Sequence, residues 1–217
     1  MRRPLRPIAI GACFLAPVLL EAQPCPGRTP GDSVPTRSSL TIEDPYLAAR
    51  VRGLELRAPP LRVALDSVRS GCVPVRLGTA AGIAGSMRWL SARLHQDELG
   101  QTAADVDTST QTVREVIVRV DLEAVARHLR GQVPPLDTWL SRPRRQARFD
   151  ALVDAVLIHE LWAHLVPLAI GGSVRFLCPD PLPGQPDLES CSVLRENELR
   201  VRLGLAPRAQ YSIDAAW

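Results

Sequence analysis

Two of the four histidines in this 217-residue chain lie within six residues of each other, beside a glutamate: His159-Glu160-Leu161-Trp162-Ala163-His164. Imidazoles and a carboxylate grouped in this way can hold a metal ion and activate its water. Histidines at i and i+4 of an α-helix stand only about 40° apart, so both reach one ion. The glutamate after the first histidine then faces the metal-bound water as general base. Here the spacing is i and i+5. On an ideal α-helix the two rings would diverge by about 140°. A local π-type widening brings i and i+5 back to one face. Pro167 makes such a widening plausible, because it lacks the N–H that would bond the Ala163 carbonyl.

A zinc site needs a third protein ligand and leaves the fourth position to water. Downstream, Glu189, Glu196 and Glu198 are the candidates. Glu196 shares a helical face with Leu199 and Leu203, which points its carboxylate inward. Glu189, seven residues earlier, lies near the same face and is its main rival. The plainer alternative makes Glu196–Arg200 and Glu198–Arg202 ordinary i,i+4 surface pairs. His95 and His128 sit in polar, arginine-containing segments and read as surface residues.

The motif must be carried by an element that buries it. From Ala151 to Val166 only Asp154, His159, Glu160 and His164 are polar, so the segment from Arg148 to Val166 reads as an interior helix. Two imidazoles and a carboxylate there are costly unless something satisfies them. Gly171-Gly172 ends the helix, and Asp187 is placed to cap a last one running through Leu203 to Gly204. Upstream, Pro45 to Leu56 and Leu61 to Val68 read as helices and Val73 to Leu77 as a strand. Gly78 to Gly85 and Gly100 to Gln111 read as loops. Thr112 to Val120 alternates apolar and charged residues with β-branched enrichment, and is the strongest strand signal. It is also a candidate edge strand for pairing with an extended substrate. Asp121 then caps a helix from Leu122 towards Gly131.

The hexapeptide resembles the H-E-x-x-x-H motif of the dipeptidyl-peptidase III family, whose members are zinc-dependent with the same extra residue. A broader resemblance is to secreted bacterial effector and toxin-type zinc peptidases, with H-E-L-x-H-A followed by E-N-x-x-R, G-L-x-x-R and a tyrosine. The matching residues are HELWAH, Glu196-Asn197-Glu198-Leu199-Arg200, Gly204-Leu205-Ala206-Pro207-Arg208 and Tyr211, over about the last 60 residues. Ala163 stands where that pattern has its second histidine. The resemblance implies a zincin-type metallopeptidase, and it favours Glu196 as third ligand. Arg208 and Tyr211 become candidate donors to a developing oxyanion, with a plain structural role as the alternative.

Composition limits what else the chain does. The 26 basic residues are all arginine, scattered among 23 acidic ones for a net +3, which does not indicate a nucleic-acid partner. Residues 1–22 have the order of a secretory signal peptide: Arg2, Arg3 and Arg6, an apolar run from Ile8 to Leu20, and a small residue at Ala22. That run is short of the roughly 20 residues a membrane span needs, so no stable membrane insertion is expected after cleavage. Losing three arginines and one glutamate leaves a nearly neutral chain. Of five cysteines, Cys13 leaves with the signal. Cys25, Cys72, Cys178 and Cys191 suggest two disulfides in an exported protein, with three pairings possible. Cys178–Cys191 would close a Pro/Gly-rich loop, and Cys25–Cys72 would then tie down the N-terminal segment.

The expected protein is secreted or periplasmic, with a signal peptide (1–22), an extended arm (23–41) and one α+β zincin-like domain (42–217). It would hold zinc through His159, His164 and Glu196 and hydrolyse a peptide or protein substrate with Glu160 as base. The alternative is a catalytically inactive zincin-like fold serving as a disulfide-stapled envelope or binding protein.

Overall fold

A computed structural model describes residues 39–83, 98–131, 141–172 and 188–208. The expected signal peptide and most of the expected arm, His95, Cys25, Cys178, Asp187 and Tyr211 lie outside these residues. The chain is α+β, built on a four-stranded mixed sheet in the order β1-β2-β4-β3. Strand β1 (Leu40–Ile42) pairs parallel with β2 (Val75–Thr79), and β2 pairs parallel with β4 (Thr112–Val120). A parallel pair needs a crossover. Helices α1 (Pro45–Arg57) and α2 (Pro59–Ser70) make the one between β1 and β2. Asp44 caps α1, its carboxylate accepting from the Leu47 N–H at 2.9 Å, and Pro45 follows with its φ already helical. Strand β1 takes up Leu40 and Thr41, the last residues of the expected arm. A single turn, α3 (Ala80–Ile83), occupies part of the expected Gly78–Gly85 loop.

Residues 100–107 correct the sequence reading. They form strand β3 (Gly100–Asp107), antiparallel to β4, with an irregularity between Asp105 and Val106. Strand β4 therefore has partners on both sides and is not the edge strand expected; the edges of the sheet are β1 and β3. Burial explains the error. Every residue of β3 is half-buried, and it carries small and acidic side chains, as edge strands often do. Nothing in such a segment alternates strongly enough to be read as a strand. Strand β4 is buried continuously from Val116 to Val120, the mark of a strand covered on both faces. Arg119 in that run is only 2% exposed and donates from Nε to Gln101 Oε1 at 3.0 Å.

Asp121 accepts from the Ala124 N–H at 2.8 Å and starts α4 (Leu122–Gly131). Helix α5 (Arg142–Ile158) then leads without a break into a π-helical segment (His159–Leu165) and α6 (Val166–Gly171). This composite helix begins six residues earlier than expected, with Arg142, Arg144, Arg145 and Arg148 exposed at its start. It is long and apolar enough to cross a membrane by length and composition, but two-thirds of its most apolar stretch is packed inside the protein. Gly172, at φ +60°, caps α6 with the left-handed conformation that glycine adopts without penalty. Asp154, the first polar residue in the buried stretch, is gripped by Arg50 of α1 through Nε (2.8 Å) and a second guanidinium nitrogen (2.6 Å), and also by Arg57. The final helix, α7 (Leu188–Arg202), packs along the π-helical segment. Cys72 and Cys191 each take part in a disulfide bond.

Candidate metal-binding site

The HELWAH segment is π-helical along its whole length. The Val166 N–H bonds the Leu161 carbonyl, an i→i+5 step. Pro167 comes next and has no N–H to offer in either register, so the ladder returns to α geometry without breaking a bond it would otherwise make. The consequence is local and decisive: His164 Nε2 lies 3.1 Å from His159 Nε2, the rings meeting edge to face at 77°. Two nitrogens on one tetrahedral zinc, each at about 2.0–2.1 Å, stand about 3.3 Å apart. The imidazole pair thus has the spacing such an ion requires.

His159 is buried and His164 half-buried, and their surroundings push them in opposite directions. Burial and the neighbouring charges of His159 and Arg195 take His164 down to about 3, so it is neutral and offers a lone pair. Burial also works against the charged form of His159, but the hydrogen bond to Glu196 and the charges of Glu160 and Glu196 outweigh it and raise its pKa.

Glu160 is 4% exposed and its carboxylate reaches the edge strand. Thr102 Oγ1 lies 2.7 Å from Glu160 Oε2, to which it donates, and 3.3 Å from the Glu160 carbonyl. Gly100, one pleat away on the same face, leaves the space this carboxylate occupies. A Cβ there would lie 2.5 Å from Val156 Cγ1 and 3.1 Å from Glu160 Oε1. Gly100→Ala is therefore expected to cost about 1–3 kcal/mol through overpacking, readable as a lower denaturant midpoint at unchanged slope. A neutral result would mean that the strand gives way at no cost.

Glu196 is fully buried, as its face of α7 implied, but it stands behind His159. Its Oε2 is 3.0 Å from His159 Nδ1, the ring nitrogen turned away from His164. Arg208 donates to the same oxygen at 2.8 Å, and Arg200 donates to Oε1 at 3.1 Å. Although burial alone would raise it, the His159 hydrogen bond and the two guanidiniums hold the carboxyl below the usual carboxylate range. A carboxylate in this position fixes the tautomer and aim of a metal-binding histidine. From the helix face expected of it, the carboxylate meets His159 at Nδ1. Glu198 is exposed. Glu189 lies two turns before Glu196 on α7, with its side chain outside the description. Among the described residues no third His, Cys, Asp or Glu joins the two imidazoles.

Sequence reasoning singled out Arg208 but not its contact with Glu196, and it missed Gly100, Thr102 and the side-chain role of Asn197. The only available signal was the E-N-x-x-R pattern, whose asparagine had no assigned task. His128 lies on α4 and is half-buried rather than fully exposed. No family model matches the chain, and neither the curated proteins nor the solved structures contain a match to it.

Proposed function

We propose that the protein is an exported zinc-dependent peptidase of zincin-like architecture. The observation that carries this reading is the convergence of His159 Nε2 and His164 Nε2 at 3.1 Å, with Glu160 on the adjoining position of the same π-helical turn. The two imidazoles would hold the ion, with Glu189 as the candidate third ligand now that Glu196 is engaged by His159, Arg200 and Arg208. Zinc held there would supply a Lewis acid for a carbonyl oxygen and a water of pKa about 7.

The chain's own groups have separable tasks. Glu196 orients His159 through Nδ1. Glu160 takes a proton from the attacking water and returns it to the leaving amine, while Thr102 holds the carboxylate oxygen that is not receiving the proton. Strand β3, at the sheet edge beside Glu160, is the place where an extended peptide would add as a further strand. Arg208 is occupied with Glu196, which supports the structural role for it over the oxyanion role. Cleavage of residues 1–22, export, and Cys25–Cys72 with Cys178–Cys191 pairing belong to the same proposal.

One observation favours the second reading, an inactive zincin-like binding protein: no described side chain completes a three-ligand set. Chelation separates the two. Zinc-loaded mature protein is expected to cleave members of a mixed peptide library, to stop when the metal is stripped, and to recover on adding zinc. A zinc-loaded protein that leaves the whole library intact supports the binding protein instead.

A further inference from the structure

We propose that residues 204–208 form a latch that fixes the His159 ring, with Arg208 as the positioning residue acting through Glu196. Gly204, at φ +72°, turns the chain back along α7. Two α7 side chains then recognise the returning backbone. Asn197 Nδ2 donates to the Arg208 carbonyl at 2.8 Å, and its Oδ1 accepts from the Arg208 N–H at 2.6 Å. Arg200 Nε donates to the Ala206 carbonyl at 2.8 Å, and the Leu205 N–H bonds the Arg200 carbonyl at 2.9 Å. Such paired contacts form only when the segment is folded back in this one register.

The docked segment delivers Arg208 NH1 to Glu196 Oε2, the same oxygen that faces His159 Nδ1. The guanidinium holds that oxygen in place facing Nδ1, so that two donors converge on it. His159 then carries its proton on Nδ1 and turns its Nε2 lone pair towards His164. With the latch released, Glu196 retains Arg200 on its other oxygen and can swing away from the ring. Residues 204–208 and the imidazole pair are thereby coupled, and a ligand held at Nε2 stabilises the docked latch by as much as the latch strengthens its binding. This consequence for zinc rests on the metal-site reading; the control of the His159 tautomer does not.

The test uses the full mature chain, metal-free, at a pH where the ring nitrogen shifts show both imidazoles neutral, with long-range proton–nitrogen NMR of the histidine rings. Wild type and Arg202→Ala, an exposed α7 change, are expected to show His159 protonated on Nδ1. Arg208→Met and Asn197→Ala are both expected to move it towards a mixture of tautomers, with Arg208→Lys restoring the wild-type signature. Asn197→Ala keeps every charge, so it decides the matter even if Arg208→Met does not fold. Zinc, the probe in a chelator competition, is expected to bind about 10–100-fold more weakly to both variants. Wild-type tautomers in both would overturn the latch. Zinc that fails to bind wild type would overturn the metal-site reading while the tautomer result still decides this proposal.

Discussion

A Glu160→Gln variant is expected to retain zinc at wild-type affinity and to lose about 10²–10⁴-fold in kcat/KM on any peptide the native protein cleaves. The carboxylate is buried against β3, where Gly100 has no side chain and Thr102 donates to one of its oxygens at 2.7 Å. Glutamine fills the same volume and its amide oxygen can still accept from Thr102, so neither folding nor the imidazole pair is disturbed. Only the proton-accepting capacity is removed. Steady-state kinetics on the best library peptide, with metal content measured on the same sample, checks the prediction. Undiminished turnover would remove Glu160 from the chemistry.

Glu196→Ala is expected to be the most damaging single change to the fold. The residue is fully buried and is the shared partner of Arg200, Arg208 and His159. Removing one member of a buried ionic group leaves its partners uncompensated, at a cost of about 3–5 kcal/mol. For a chain of this size that corresponds to a fall in Tm on the order of 10 °C. Glu196→Gln preserves the shape and one acceptor and should cost less. Differential scanning calorimetry of the pair tests this. A Glu196→Ala protein as stable as wild type would mean that the guanidiniums find other partners. Zinc competition on Glu189→Ala separates the two carboxylates: loss of binding there assigns Glu189 to the ion, and unchanged binding leaves it structural.

The elements most legible in the sequence were those whose signals are local. Asp121 announces a helix start through its own side-chain chemistry, and it caps α4 as expected. Strand β4 announced itself through β-branched alternation. The π-helical widening was also readable, because a six-residue histidine frame and a proline three residues beyond it constrain the same turn. What depends on partners distant in sequence was not readable. Strand β3 owes its order to pairing with β4 rather than to its own small and acidic residues. Burial of Arg119 depends on that pairing, which brings Gln101 beside it. The inward aim of Glu196 followed from helix periodicity, but which atom it would meet depended on how α7 lies on the π-helical segment and on a chain reversal at Gly204. Periodicity identifies a face and carries no information about what that face touches.

The central claim is that His159 and His164 bind one zinc ion together through their Nε2 atoms. Zinc-edge X-ray absorption on the purified mature protein, with metal content measured in parallel, tests it most directly. The account predicts one zinc per chain, with two imidazole nitrogens at about 2.0–2.1 Å, and loss of that zinc in both His159→Ala and His164→Ala. A protein that carries well under one equivalent and takes up none when zinc is supplied would contradict it.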